Sequence, residues 1–214
     1  MLVMNRSYSY CKRRICRTNQ QKGDDVMLKR SKEMEELEKE IAEKKKQLKE
    51  LKKEEPYIPV QNYVFEGLND KKIRLSDLFG ESNELIVIHN MGKQCAYCTM
   101  WTDGFSGVYP YLTKKASFVV SSPDHSEVQR EFALSRNWPF RMVSTTNSTF
   151  REDLGFKNDT QSIPGCSTFF KNEENEIFLV ANEIFEPGED YSSPWHFFDL
   201  LPSGSDSFNP KSVI

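Results

Sequence analysis

The feature that most constrains this chain is a pair of cysteines, Cys95 and Cys98, spaced as C-x-x-C between a predicted strand and a predicted helix. The apolar, β-branched run at 84–90 is typical of a buried parallel strand, and residues 99–105 can begin a helix. Backbone N–H groups at a helix N-terminus stabilise the thiolate of the first cysteine, which makes it a nucleophile. The second thiol lies one turn away and can attack a mixed disulfide. The spacing predicts a redox dithiol, with Cys95 as nucleophile and Cys98 as resolving thiol.

Zinc binding is the competing chemistry for C-x-x-C, but a zinc site usually needs four nitrogen or sulfur ligands. The second cysteine pair, Cys11 and Cys16, falls in a segment that we expect to be disordered. We therefore predict no metal and no cofactor. A metal-binding or copper-delivery module using the dithiol and one histidine, such as His89, stays as a weaker alternative. For His89 itself, a packed core histidine is an equally good interpretation.

The composition excludes several classes of protein. With 214 residues the chain can form one domain with a sizeable core plus an appendage. The net charge of −3 gives no basic field for nucleic acid or an anionic membrane, and no apolar run approaches a membrane span. Five cysteines are an odd count and too few for a disulfide scaffold. We expect a reducing, cytoplasmic setting, in which C-x-x-C indicates redox or metal chemistry.

The charge pattern divides the chain into three segments. Residues 1–27 carry several basic residues and no acidic residue before Asp24. We expect this segment to be disordered or to be a mis-called N-terminus. Residues 28–55 alternate Lys and Glu around a short heptad stripe, which predicts a charged amphipathic helix. This helix either packs its stripe on its own domain or forms a weak homodimer. Residues 56–214 are predicted to form the globular domain.

Within the globular domain, predicted strands alternate with helices and a hairpin closes the order. We expect an α/β fold with a central mixed sheet flanked by helices. The predicted helix at 125–137 would pack through Val128, Phe132 and Leu134. The predicted strands are at 63–67, 72–75, 84–90, 116–121, 140–144, 167–171 and 176–180.

Five further residues are candidates for the site. Pro164 precedes a predicted strand, and the combination of the upstream dithiol with the downstream predicted hairpin indicates a cis peptide bond here. With that bond, the backbone around Ile163 would present a strand-like edge to a substrate peptide. Cys166 is a third thiol that is either near the dithiol or inert in the core. Trp101 is expected to shield the dithiol, and Asp103 either takes protons from Cys98 or supports the helix start. His196 either reaches the dithiol or closes the core.

Five sequence segments together resemble a mostly bacterial, thioredoxin-like family designated as a domain of unknown function. That family is similar to the alkyl hydroperoxide reductase and thiol-specific antioxidant (peroxiredoxin-like) group, and the resemblance covers most of residues 30–205. The segments that carry it are Leu75–Phe79, Cys95–Phe105, Asn137–Phe140 with Val143 and Ser144, Pro164–Phe170, and Trp195–Pro202.

The resemblance implies a thioredoxin-like fold with a redox-type site at Cys95 and Cys98. The peroxiredoxin pattern has Thr three residues before its reactive cysteine and Pro ahead of it, whereas Gly92 stands three before Cys95 and no proline precedes it in the loop. We therefore predict a thiol–disulfide oxidoreductase, with a disulfide-containing protein or small thiol or disulfide as substrate and a separate reducing partner. A peroxiredoxin-like thiol peroxidase is the first alternative. A scaffold whose charged helix binds partners is another.

Overall fold

The computed structural model describes residues 31–206 and 208–211, and these described residues divide into two units between Lys49 and Glu50. The segment predicted to be disordered, 1–27, lies outside the described residues, as do Cys11 and Cys16. The first helix, α1 (Lys32–Glu54), falls within the predicted 28–55. Acids in its first turn and lysines in its last turn complement the helix dipole, and it has no buried side chain.

An eight-stranded mixed sheet forms the centre of the second unit. Its order is β1-β8-β7-β4-β5-β6-β2-β3. β4 is parallel to β5 and β5 to β6, while β7 is antiparallel to β4. The strands are β1 (Ile58–Val60), β2 (Val64–Glu66), β3 (Lys72–Arg74), β4 (Glu84–His89), β5 (Ser117–Ser122), β6 (Arg141–Ser144), β7 (Gly165–Lys171) and β8 (Ile177–Ile184).

Helices connect the parallel strands and cover the sheet. α2 (Ala96–Leu112) follows β4, and α3 (Ser126–Ser135) joins β5 to β6. The remaining α-helices among the described residues are α4 (Phe150–Asp153) and α5 (Ser193–Asp199), and two short 3-10 helices lie at Leu68–Asp70 and Leu75–Leu78. None of the described helices is long and apolar enough to span a membrane.

Two apolar clusters form the core because successive strand residues point to opposite faces of the sheet. On β4, Leu85 and Val87 belong to one cluster, while Ile88 belongs to the other. β5 alternates in the same way, since Val119 joins the first cluster and Val120 the second. The predicted mixed sheet covered on both faces is therefore confirmed.

Sequence patterns missed some elements of this fold. Strand β1 has three residues and includes Pro59, so its sequence pattern cannot be distinguished from that of a loop. Helix α4 has a single turn, which is too short to show a helical periodicity. Leu134 was expected to pack against the sheet, but it is 65% exposed. In its place Gln129 is buried, with its amide donating to the carbonyls of Ser122, Asp124 and Val143.

Candidate active site

A short loop between β4 and α2 positions the dithiol. Asn90, the first residue after β4, accepts from the Gly92 N–H at 2.7 Å and donates to Thr102 Oγ1 at 3.1 Å. The Cys95 N–H donates to the Gly92 carbonyl at 3.0 Å. Gly92 has a φ of 108°, a conformation that favours glycine. Asn90 thereby holds the loop to the second turn of α2.

Cys95 caps the N-terminus of α2 and is partly exposed. Its sulfur accepts the backbone N–H of Cys98 at 3.1 Å. The hydrogen bond from the Cys98 thiol and this backbone bond lower the pKa of Cys95 to about 7, although partial burial opposes the shift. A thiolate is thus available near neutral pH on the accessible member of the pair.

Cys98 has the opposite environment. Its side chain is 2% exposed, and its sulfur accepts the Met91 N–H at 3.4 Å. Donation of its proton to Cys95, together with burial, raises the pKa of Cys98. Above about pH 7 the reduced pair therefore holds one proton, and the negative charge is on Cys95. The prediction of Cys95 as nucleophile and Cys98 as resolving thiol is compatible with these unequal environments.

A buried cation, Arg151, lies behind the pair and was missed by the sequence analysis. Its guanidinium is 1% exposed and donates to the carbonyl of Asn90 at 3.1 Å. Two longer bonds reach the carbonyls of Phe156 and Ile163. Burial lowers the pKa of Arg151, and a thiolate at Cys98 would act in the opposite direction. The guanidinium in turn lowers the pKa of Cys98. No sequence signal marks this position, because a charged residue in a short polar segment is expected on the surface.

His89 is a buried core residue. Its ring is stacked on that of Phe156, with ring centroids 3.8 Å apart, and its Nε2 lies 2.8 Å from Ser167 Oγ. Ser167 donates its single hydrogen to Asn182, so His89 Nε2 carries the proton and donates to Ser167. Nδ1 is then an acceptor without a partner among the described residues. Burial and the nearby Arg151 charge hold the pKa of His89 well below its usual value, so the ring is neutral.

The prediction of a cis bond before Pro164 is wrong, since no cis peptide bond occurs in the described part of the chain. The trans form is the usual one for X-Pro bonds, and the flanking backbone groups find partners in it. The Ile163 N–H donates to Phe156, and the Ile163 carbonyl accepts from Arg151. The Pro164 carbonyl accepts from the Phe185 N–H. The segment therefore offers no free strand-like edge to a substrate.

Trp101 lies beside the buried side of the dithiol. It is 3% exposed and lines, with Cys98 and Pro164, a narrow gap beneath the pair. Its indole N–H donates to Glu189 Oε1 at 2.7 Å, and burial raises the pKa of Glu189. Trp101 thus anchors the segment between β8 and α5 next to the dithiol.

Three other candidates form no hydrogen bond or ion pair with Cys95 or Cys98 among the contacts that the structure describes. Asp103 accepts the Arg136 Nε–H at 2.7 Å and the Trp138 indole N–H at 2.8 Å, so it links α2 to the segment between α3 and β6. His196 is exposed, with Nε2 3.7 Å from an Asp190 oxygen. Cys166 is a core residue of β7, and burial raises its pKa to about 12, which keeps it a thiol. Of its two predicted roles, the inert core thiol fits this environment.

No three His, Cys, Asp or Glu side chains come together as a metal site within the described residues. His89 is committed to Ser167, and His196 lies beside Asp190. Neither histidine joins the two cysteines in a ligand set.

Comparison with known proteins connects this geometry to a family. A family model described as "Bacterial protein of unknown function (DUF899)" matches residues 18–212. The chain belongs to this family. The match confirms the resemblance drawn from the five sequence segments. No functionally curated protein matches the chain.

Solved structures similar to this DUF899 protein include several peroxiredoxins. Peroxidoxin BcpB from Mycobacterium tuberculosis has 16% identity and a TM-score of 0.50, covering 64% of this chain and 88% of that one. Reduced Prx3 of Vibrio vulnificus, solved in complex with H2O2, has 13% identity and a TM-score of 0.49, over 61% and 87%. A peroxiredoxin Q variant of Xanthomonas campestris has 15% identity and a TM-score of 0.43, over 56% and 78%. At such low sequence identities the similarity concerns the fold alone, and it rests on the comparison with BcpB. The fold is thioredoxin-like.

Proposed function

We propose that this DUF899 protein is a thiol–disulfide oxidoreductase that uses Cys95 and Cys98. The observation that carries the proposal is the unequal environment of the two sulfurs at the start of α2. Cys95 is accessible with a pKa of about 7, whereas Cys98 is buried and donates its thiol proton to Cys95. This arrangement separates the attacking and resolving roles that exchange requires.

The proposed reaction proceeds through a mixed disulfide. The Cys95 thiolate attacks one sulfur of a substrate disulfide, so a Cys95–substrate bond forms and the second substrate sulfur leaves as a thiolate. This thiolate takes up the proton that Cys98 loses, and the Cys98 sulfur attacks Cys95. The Cys95–Cys98 disulfide forms and the first substrate sulfur leaves, taking a proton from solvent. The substrate gains two electrons and the dithiol loses two.

The Met91 N–H and Arg151 would support the second step. Both lower the pKa of Cys98, and they stabilise its thiolate as the proton leaves. They act on a sulfur that burial otherwise keeps protonated. A buried resolving thiol is thus made reactive only after Cys95 is bonded to substrate, since Cys95 then no longer accepts the Cys98 proton.

A redox titration tests this function. The full-length protein is equilibrated in reduced and oxidised dithiothreitol buffers, and alkylated thiols at Cys95 and Cys98 are counted by mass. We expect both thiols to disappear together at a potential between about −300 and −120 mV, as in known exchange catalysts. Cys166→Ser, the matched control, should show the same transition. Alkylation of both cysteines at every potential would refute the proposal.

A thiol peroxidase is the second candidate, favoured by the partly exposed Cys95 thiolate with a thiol one turn away. Peroxide would oxidise Cys95 to a sulfenic acid with release of water or alcohol, and Cys98 would condense with it to a disulfide and a second water. Peroxide consumption with a thiol reductant distinguishes the two functions. If the wild-type protein consumes peroxide, Cys95→Ser abolishes this consumption and no disulfide substrate is turned over, the protein is a peroxidase and not an exchange catalyst.

A further inference from the structure

A groove apart from the dithiol lies between α3, β6 and the turn that joins β2 to β3. Its volume is about 400 Å³, within the range of sites for small organic molecules. Neither Cys95 nor Cys98 lines it. The proposed redox chemistry therefore gives this groove no role.

The floor of the groove is apolar and held in place. Trp138 and Phe140 are both nearly buried, and half-buried Met142 lies beside them. The Trp138 indole N–H donates to Asp103 on α2, and its ring packs edge-on against Phe132. Because these contacts fix the indole ring, the floor is organised before any ligand arrives.

The rim of the groove is cationic. Lys71, Arg130 and Arg141 line it and are exposed, and no residue in the described lining is acidic. Among the side chains that the structure describes, none of these three cations forms an ion pair, and Arg141 donates from Nη1 to the Asp77 carbonyl at 3.4 Å. The acid at the start of α3, Glu127, accepts from Ser126 and lies outside the groove lining. An unpaired guanidinium is a strong bidentate partner for a carboxylate or sulfonate.

Leu134 extends the apolar surface to the mouth of the groove. This leucine is 65% exposed although sequence periodicity predicts that it packs inward. It lines the same groove as Arg130, which lies one turn earlier on α3. An exposed leucine beside unpaired cations matches a ligand that has both an apolar body and an anionic group.

We propose that the groove binds a small amphipathic anion, in which an aromatic or aliphatic body contacts Trp138, Phe140 and Met142. Its carboxylate or sulfonate pairs with Arg130 and Arg141. Size, apolar floor and charge each select for this class. A fully polar anion would leave the floor unused, and a cation would meet three like charges.

Calorimetric titration of the full-length protein with three ring compounds tests the proposal. The probes are 2-naphthoate, 2-naphthylmethanol and 2-naphthylmethylammonium, which share a ring and differ in charge. We expect saturable binding of one 2-naphthoate, weaker binding of the alcohol and no binding of the cation. No saturable 2-naphthoate binding, or equal binding of all three, would overturn the proposal.

Two sets of variants locate the site. Arg130→Gln with Arg141→Gln should weaken 2-naphthoate binding about tenfold or more, since charged hydrogen bonds are lost. Lys114→Gln with Lys115→Gln changes the net charge equally elsewhere and should leave binding unchanged. Ala133→Phe should block the groove for the alcohol and 2-naphthoate alike. Circular dichroism checks that each variant is folded. Unchanged 2-naphthoate binding in the arginine double variant would show that 2-naphthoate binds at another surface and would overturn the proposal.

Discussion

The guanidinium of Arg151 donates to the carbonyl of Asn90 at 3.1 Å, which places a fully buried cation behind the loop that carries the dithiol. The bonds of Arg151 are all to neutral carbonyls, and the anions that favour its charged form are a thiolate at Cys98 and the exposed Glu152. A disulfide has no charge. Because Arg151 favours a thiolate of the reduced pair and gains nothing from the disulfide, it should make the dithiol a stronger oxidant than it would be without Arg151.

Arg151→Met should accordingly make the reduction potential more negative. We expect a shift of about 30 mV or more, because 30 mV corresponds to about 1.4 kcal/mol for a two-electron couple. Arg151→Lys keeps the positive charge, so its reduction potential should stay close to that of wild type. Both variants lose backbone hydrogen bonds and some stability. The measurement is the dithiothreitol titration at one pH. Equal potentials in the Met and Lys variants would show that charge does not set the potential.

The reactivity of Cys95 should follow its lowered pKa. Alkylation of the reduced protein by iodoacetamide should rise about tenfold per pH unit below pH 7 and level off above it, because the thiolate is the reacting form. Cys98→Ala removes the thiol that donates to Cys95, so the midpoint should move upward toward that of an ordinary cysteine. Mass spectrometry of quenched samples gives the rate at each site. The same midpoint in wild type and Cys98→Ala would contradict the shared proton.

Much of this site was predictable from sequence because local pattern encodes it. The strand before Cys95 and the helix after Cys98 fix both cysteines at a helix N-terminus, whatever the distant sequence does. Arg151 was not predictable, since its role depends on the Asn90 carbonyl, which lies 61 residues away in the sequence. The prediction of a cis bond before Pro164 also concerned contacts between distant residues, since the carbonyls on either side of that bond accept from Arg151 and Phe185.

Gly165 is required where β7 begins, beside Pro164. A Cβ there would overlap the Glu183 carbonyl oxygen and the Phe156 ring. Gly165→Ala should lower the free energy of unfolding by about 2 kcal/mol, because backbone and a packed ring must move. Gly104→Ala is the matched control on α2, where a Cβ meets nothing within 4 Å, and should stabilise the protein by about 0.5 kcal/mol. Urea unfolding followed by tryptophan fluorescence measures both. Equal midpoints in the two variants would contradict the packing around Gly165.

His89 should make the protein acid-sensitive. Its pKa is well below the usual value in the folded state, so below about pH 6.5 the unfolded chain binds a proton that the folded chain does not. The stability linked to His89 is thus complete above that pH and falls by up to about 1.4 kcal/mol per pH unit as the pH drops further.

His89→Phe separates this effect from the titration of carboxylates. A phenyl ring can stack on Phe156 as the imidazole does, and Ser167 keeps its bond to Asn182. Between pH 7 and pH 5 the variant should therefore lose less stability than wild type, whereas His196→Gln, at an exposed position, should behave as wild type. Urea unfolding at several pH values gives the slopes. A His89→Phe slope as steep as that of wild type would mean that the folded protein accommodates a charged His89, contrary to its complete burial between two phenylalanine rings.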